Sequence, residues 1–384
     1  MPKLNYCINN GPEKMFLKNL KLYNFKNYAD STLTFSERIN CFIGDNGEGK
    51  TNILDAIYYL AFTKSYFNLV DSQNIRHGQD FFALHGKFLR DENGMDEVSC
   101  IQKRNTKKQF RINGKDYERL ADHIGEFPLV MVSPYDRDLI NEGSEIRRKY
   151  IDSVISQFDR FYLNDLITYN RALAQRNALL KQFGENRTFD LPALEIYVSQ
   201  MEKPAERIFT KRTEFLKGFI PVFRQYFEFI SQGKEEVDIT YHSDLSDQNL
   251  TEVLQACLER DLVLHYTTGG VHKDDLDLII GGLPVKKFGS QGQQKSFLIA
   301  LKLAQFEYTK TIKGYKPILL FDDIFDKLDI KRVSQIINLV GSNSFGQVFI
   351  TDTQPEHINL IIKESNQEHL IFNVVNGTAQ PIKQ

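Results

Sequence analysis

The stretch Gly44-Asp45-Asn46-Gly47-Glu48-Gly49-Lys50-Thr51 decides how this chain is read. It follows the pattern G-x-x-x-x-G-K-[ST], in which every required residue type has a mechanical job. The glycines let backbone N–H groups turn toward phosphate oxygens, the lysine reaches the β- and γ-phosphates, and the hydroxyl holds Mg²⁺. Upstream, Arg38-Ile39-Asn40-Cys41-Phe42-Ile43 has the apolar run of a short buried strand. Downstream, Thr51 to Leu60 carries apolar residues at helical spacing. Strand, glycine loop and helix in that order aim a helix N-terminus at an anion. The expected nucleotide contacts are Gly44, Asp45, Asn46, Gly47, Glu48, Gly49, Lys50, Thr51 and Asn52. A plain glycine turn would account for neither Lys50 nor the flanking elements.

A partner for this loop lies far along the chain. Lys316-Pro317-Ile318-Leu319-Leu320-Phe321-Asp322-Asp323 is an apolar strand ending in two carboxylates. At the strand's C-terminal end, Asp322 is expected to bind Mg²⁺ beside Thr51. Asp323 is expected to orient or activate the attacking water, with Lys50 as the second catalytic group. Lys50 and Asp322 stand 272 positions apart (322 − 50), so the predicted head is split by an insertion. Just before the strand, Ser290-Gln291-Gly292-Gln293 precedes the helical run Phe297 to Ala304. Ser290 would cap that helix, and its free N–H groups would face an anion. One nucleotide needs only one such cradle in cis, so the second predicts a contact in trans, on the γ-phosphate held by another copy. Asp326 and Asp329 would line the same boundary.

The 384 residues allow two or three domains. Hydrophobic content of 41% and charged content of 26% are those of an ordinary globular protein. No apolar run reaches the roughly 20 residues of a membrane span. Residues 1–14 are polar and lack a signal-peptide pattern, so they are expected to be a disordered extension of a cytoplasmic protein. Cys7, Cys41, Cys100 and Cys257 are scattered without metal-ligand spacing, and the histidines form no zinc motif. A formal net charge of −2 excludes a wholly basic nucleic-acid binder and leaves room for a local basic face.

The predicted organisation is an N-terminal half of the head over 15–140, a helical lobe over 141–235 and a C-terminal half over 236–384. Turns at Asn93-Gly94 and Asn113-Gly114 predict antiparallel hairpins in the first part. Two helical stretches, Ser144 to Gln182 and about Leu194 to Tyr226, are joined at Gly184-Glu185-Asn186-Arg187, with Pro204 and Pro221 marking boundaries or kinks. The last strand candidate is Gln347-Val348-Phe349-Ile350. The expected class is α/β, a split ATP-binding-cassette ATPase head with mixed β-sheets and an inserted short helical lobe.

Phosphate loop, Ser-x-Gly-Gln signature, apolar strand with Asp-Asp and a Leu-Asp loop, in this order, resemble the ATP-binding-cassette class. From Met15 onward the chain is similar to the RecF family of bacterial DNA replication and repair proteins. The resemblance rests on Met15 to Tyr28, Gly47 to Ile57, Ser133-Pro134-Tyr135-Asp136 with Arg147-Arg148-Lys149-Tyr150-Ile151-Asp152, Tyr169 to Leu180, His272-Lys273-Asp274-Asp275 and Ser290 to Gln294. It departs at Gly269-Gly270-Val271, where the family shows Gly-Pro, and at Lys273 and Lys26, where Arg is common. Lys26 keeps the charge but loses a planar fork, which puts a stacked or bidentate nucleotide contact there in question. Thr351-Asp352-Thr353 stands where many cassette ATPases place a switch histidine, so no histidine is assigned a catalytic role. Gln73 is the nearest candidate for a Mg²⁺-bridging glutamine.

The resemblance implies a weak, DNA-stimulated ATPase that dimerises on ATP with Mg²⁺. It implies sequence-nonspecific binding of duplex and gapped or single-strand junction DNA, partnership with RecO and RecR, help in loading recombinase, and a part in the SOS response. Candidate DNA contacts are Lys103, Arg104, Lys107 and Lys108 on a predicted hairpin, and Arg147 and Arg148 on the first helical stretch; Arg171 and Arg176 could equally be internal ion-pair partners. Competing readings are a transporter's nucleotide-binding subunit, a head fragment of a chromosome-structuring protein, and a nucleotide sensor without turnover. The first would lack the helical lobe, the second needs long heptads that are absent here, and the third predicts no loss of phosphate release in Asp323→Asn.

Overall fold

Strand by strand, burial explains which segments became which kind of sheet. In Met15–Phe25, buried Leu20 and Leu22 alternate with exposed Lys21 and Tyr23, so one face is covered and one meets water. By contrast Ile318–Asp322 and Val348–Asp352 are buried at every position, the mark of a parallel strand covered on both faces. The computed structural model describes residues 14–68, 70–90, 94–325, 328–341, 344–365 and 367–382. The predicted extension over 1–14 lies outside these except for Lys14, and Asp326 also lies outside them.

The described chain divides into two units. The first runs to Asp136 and adds Tyr226–Gly233 and Gln291–Gln384; the second is Arg137–Gln225 with Lys234–Ser290.

The first unit holds two sheets. In the antiparallel one, Tyr28–Thr34, Met15–Phe25, Phe81–Arg90, Gly94–Lys103, Gln109–Ile112 and Lys115–Asp116 are neighbours in that order. Arg111 pairs with Asp116 around the predicted Asn113-Gly114 turn, and Arg90 pairs with Gly94 in the other predicted hairpin, whose Asn93 lies outside the described residues. In the other the order is Thr378–Pro381, His369–Val375, Ile39–Ile43, Val348–Asp352, Ile318–Asp322, Leu129–Val132, all parallel after the first pair. The helix Lys50–Phe62 is buried along nearly its whole length, and its Ile53, Leu54, Ile57 and Leu60 share one core with strands of both sheets. Two strands, His369–Val375 and Thr378–Pro381, follow the last predicted one. Their exposed Asn373 and Val375 interrupt the apolar run that marks the inner strands.

In the second unit the helices are Ser144–Ser156, Arg160–Asn186 and, as far as Gln225, Leu191–Ser231. The first predicted stretch is thus broken at 157–159, where Asp159 caps the new helix by accepting from the Tyr162 N–H. The predicted connector at Gly184 is helical instead, and the break comes at Arg187, whose φ is +53°. Position 184 is a glycine within the helix, and a Cβ there would meet His265 Nε2 at 2.2 Å. Pro204 and Pro221 both lie inside the 41-residue helix. Burial of Met201, Ala205, Ile208, Phe215, Phe219 and Phe223 outweighs the backbone hydrogen bonds they remove.

Residues 236–290, expected with the head, group with these helices. The strands Val237–His242, Asp275–Ile280 and Leu283–Pro284 form a separate small sheet there. Arg212, fully buried, ties the long helix to it by bonding Asp274 at 2.6 Å, the Val271 carbonyl at 2.7 Å and Asp152 at 2.9 Å. Breaking such a buried pair would strand a charge, which makes the group cohere. Among the described residues no helix is long and apolar enough to cross a membrane.

Candidate nucleotide site

The phosphate loop leaves the strand Ile39–Ile43 and enters the helix Lys50–Phe62. Gly49, at φ +111°, is the residue before the helix, and no side chain caps it. No acidic residue occupies the first turn either, so no side chain competes with an anion for the N–H groups of Lys50 and Thr51, while that of Asn52 donates to the Gly49 carbonyl at 3.0 Å. Two glycines are there of necessity. A Cβ on Gly44 would meet the Val374 carbonyl oxygen at 2.3 Å, and Gly47 has φ +87°.

Neighbouring turns hold the loop. Asn27 Nδ2 donates to the Glu48 carbonyl at 2.9 Å, Asn52 donates to Asn27 Oδ1 at 2.8 Å, and the Tyr28 hydroxyl donates to the Gly49 carbonyl at 3.2 Å. From the other side Gly377 N–H donates to the Glu48 carbonyl at 3.0 Å, and Asn376 N–H donates to the Glu48 carboxylate. Glu48 therefore serves the loop's shape from both its backbone and its side chain.

Lys50 Nζ donates to the carbonyls of Gly44 at 2.7 Å and Asp45 at 2.8 Å, a cation folded back over its own loop. Burial lowers its proton affinity, and Asp323, Asp322, Asp352 and Asp45 oppose that by their charge. Thr51 Oγ1 donates to Asp322 Oδ1 at 2.8 Å, which closes the gap between the two motifs. Thr351 Oγ1 donates to the same oxygen at 2.8 Å. Burial raises the Asp322 carboxyl above the usual range; the two hydroxyls oppose it, Asp323 adds to it and Lys50 opposes it. Asp323 has φ +47°, and its N–H is held by the carbonyl and hydroxyl of Thr351. Left-handed backbone at a non-glycine residue costs energy and persists where the surroundings enforce it.

The helix Gln291–Lys313 begins one residue after Ser290, and Ser290 and Gln291 are exposed. Gly292 accepts from Ser296 Oγ at 2.9 Å through its carbonyl. Gln293 is half-buried, and Lys295 Nζ donates to the Asp323 carbonyl at 3.4 Å. Asp329 accepts from the Arg332 N–H at 2.9 Å at the start of the helix Ile330–Gly341.

Other predicted residues have different surroundings. Lys26 Nζ lies 2.6 Å from the buried Asp55 carboxylate and over the Phe67 ring. Gln73 is exposed on the short helical turn Asp71–Asn74. Lys103, Arg104 and Lys107 are exposed, and Arg104 Nε donates to the Gln79 carbonyl. Lys108 turns inward instead, 2.8 Å from Asp71 and above the Tyr59 ring. In the second unit Arg147 grips Asp275 with two bonds of 2.7 and 2.9 Å, and Arg148 donates to the Asp274 carbonyl. Arg176 is fully buried against Asp261 at 2.8 Å. These ion pairs take Lys108, Arg147 and Arg176 out of any free basic face; Arg171 is exposed.

Sequence reasoning missed Asn27, Tyr28, Thr351 and the Asn376-Gly377 turn. The Asn-Gly dipeptide is a visible turn signal, but nothing in it points to a loop more than 300 residues away.

A family model described as the RecF/RecN/SMC N-terminal domain matches residues 16–376. The DNA replication and repair protein RecF of Flavobacterium johnsoniae is 52% identical over 94% of this chain and 100% of its own length. The chain belongs to the RecF family. The RecF of Phocaeicola vulgatus is 49% identical, over 96% of this chain and 99% of that one. A solved structure of the recombination mediator protein RecF with ATPrS, in the RecFOR pathway, aligns with a TM-score of 0.86 at 27% identity, covering 98% of this chain and all of that one. An Smc head domain from Pyrococcus furiosus shares the fold alone, with a TM-score of 0.58 and 16% identity. The expected class, a split ATP-binding-cassette ATPase head in an α/β chain, is therefore the one found.

Mg²⁺, which the fold family implies, takes hard oxygen donors and retains several waters and phosphate oxygens. The Thr51 hydroxyl and Asp322 carboxylate are such donors, adjacent and at the end of the phosphate loop. Among the described residues no cluster of three or more His, Cys, Asp or Glu side chains could hold a metal. The Thr51 and Asp322 oxygens would fill two positions of such an ion and leave the others to waters and phosphate oxygens.

Proposed function

We propose that this chain is an ATP-dependent DNA-binding protein of replication and recombinational repair. ATP binding closes two copies into a clamp on DNA, and slow hydrolysis reopens it. The observation that carries this reading is the 2.8 Å bond between Thr51 and Asp322, which assembles a nucleotide site from two distant motifs.

In this reading the N–H groups of residues 44–52 cradle the phosphates, and Lys50 exchanges its two loop carbonyls for phosphate oxygens. Thr51 and Asp322 hold Mg²⁺, which screens phosphate charge when bound. Asp323 accepts a hydrogen bond from water, aims it at the γ-phosphorus and takes up its proton as the bond to the β–γ bridging oxygen breaks. Lys26, held by Asp55, neighbours the phosphate loop and serves the nucleotide indirectly. Ser290, Gln291, Gly292 and Gln293 contact the γ-phosphate held by the other copy. ATP then favours the closed dimer by linkage, because it binds that state more tightly. Lys103, Arg104 and Lys107 contact DNA phosphates without reading sequence. DNA stimulation of turnover, preference for gapped or junction DNA, work with RecO and RecR, recombinase loading, a role in the SOS response and a cytoplasmic location belong to the same reading.

The test is light scattering with and without Mg²⁺ and ATP, on wild type and Ser290→Arg. ATP should double the mass of the wild type and not that of the variant. Wild-type mass unmoved by saturating ATP would sink the clamp.

A further inference from the structure

Asp352 is a third carboxylate at the phosphate site. It ends the strand Val348–Asp352, which lies between the phosphate-loop strand and the Asp322 strand. In register it faces Ile43, the residue before Gly44. Its charge is among those that act on Lys50. Both carboxylate oxygens are used. Oδ1 accepts from the Gln354 N–H at 2.8 Å, and Oδ2 lies 2.8 Å from His357 Nδ1. A carboxylate with both oxygens accepting assigns the proton to Nδ1.

His357 stands in the first turn of the helix Pro355–Ser365. Its ring lies 5.2 Å from that of Phe325, at 53°. Phe325 is buried and follows Asp323 by two residues. One imidazole thus joins the strand beside the phosphate loop to the segment that leaves Asp323.

We propose that His357 is a positioning residue of the ATP cycle: bonded to Asp352 and packed on Phe325, it fixes the segment after Asp323 so that this carboxylate faces the γ-phosphate. The proposal rests on the ATPase reading above. It places the work of a switch histidine on a residue outside the Thr351-Asp352-Thr353 position, reached through the aspartate that stands there.

Three variants separate its two contacts. His357→Ala removes both, His357→Asn keeps a donor near the place of Nδ1, and His357→Phe keeps the ring. Each full-length variant is assayed with duplex DNA for ATP affinity, single-turnover phosphate release and Tm. Amide exchange of Ile324 and Phe325 with ATP bound is measured alongside. In His357→Ala, phosphate release should fall about tenfold while the Kd for ATP stays within about twofold, and each conservative variant should recover part of the rate. Exchange at Ile324 and Phe325 should quicken. Wild-type release in all three variants overturns the proposal, as does a loss of rate matched by equal losses of ATP affinity and Tm. If the wild type binds ATP without turnover, unchanged exchange in His357→Ala overturns it. If the wild type binds no ATP, the ATPase reading itself fails and the proposal with it.

Discussion

Thr51 Oγ1 and Asp322 Oδ1 meet at 2.8 Å across 271 residues of chain. Asp322 is buried, and burial already works against its charge. Asp322→Asn therefore removes a costly charge and keeps an acceptor for both threonine hydroxyls. The fold should survive with an unchanged or raised Tm. Turnover with Mg²⁺ should fall about 100-fold, roughly 3 kcal/mol of barrier, because the metal loses its carboxylate. Calorimetric Tm and phosphate release with and without Mg²⁺ check both halves. A large Tm loss would mean that the carboxylate is structural.

Gly377 has φ +70°, and a Cβ there would meet the Asn27 carbonyl oxygen at 2.5 Å. Asn27 and Gly377 hold Glu48 from two sides. Gly377→Ala should push Asn27 off the loop and weaken ATP binding about tenfold, although residue 377 lies outside the motif. Titration with a fluorescent ATP analogue reads the effect. Asn27→Ala should reproduce it, and the double variant should add little, because the two act on one loop.

How far the sequence could reach is visible in these same residues. The phosphate loop, the Asp322 strand and the signature helix were legible because each needs particular residue types at fixed spacing. Their meeting was not, since no local pattern reports that Thr351 would bind Asp322 or that residue 377 would brace residue 48. The helical lobe was legible in its 3.6-residue period, but its edges were not. The cap at Asp159 and the missing side chain of Gly184 are decided by Tyr162 and His265. The basic candidates were the least legible. A cation looks the same in sequence whether it faces water, like Lys107, or a buried carboxylate, like Arg176.

That distinction can be tested on DNA. Replacing Lys103, Arg104 and Lys107 with Ala should lower the slope of log affinity against log salt by up to about 3, close to one for each DNA phosphate that the protein no longer neutralises. Fold stability should stay within about 0.5 kcal/mol, as exposed sites allow. Lys108→Ala should do the reverse. It leaves the Asp71 carboxylate with the Tyr59 hydroxyl but without its cation and uncovers the Tyr59 ring, so stability should fall by about 1 kcal/mol with the salt slope intact. Gel-shift titrations over a salt series, run beside urea unfolding, separate the two outcomes.

His123 supplies a pH dependence in the first unit. Its ring is fully buried among Phe110, Tyr117 and Phe127, with Nε2 2.7 Å from the Leu60 carbonyl and Nδ1 3.0 Å from the Tyr117 hydroxyl. A carbonyl only accepts, so Nε2 carries the proton and Nδ1 accepts from the tyrosine. Burial pushes its pKa down to about 4, against the bond to Leu60 that favours the charged form. The unfolded chain takes up a proton near pH 6.5, where the folded one does not. The stability contributed by keeping this ring neutral is therefore complete above about pH 6.5 and is lost as pH falls toward 4, by about 3 kcal/mol in all. His123→Gln keeps a donor for the Leu60 carbonyl and cannot titrate. It should start less stable at pH 7.5, because the imidazole no longer packs among the three aromatic rings, yet lose less than the wild type between pH 7 and 5. Urea unfolding of both proteins at several pH values gives the two slopes. Parallel slopes would mean that His123 titrates alike in the folded and unfolded chain, and the predicted pH dependence would fail.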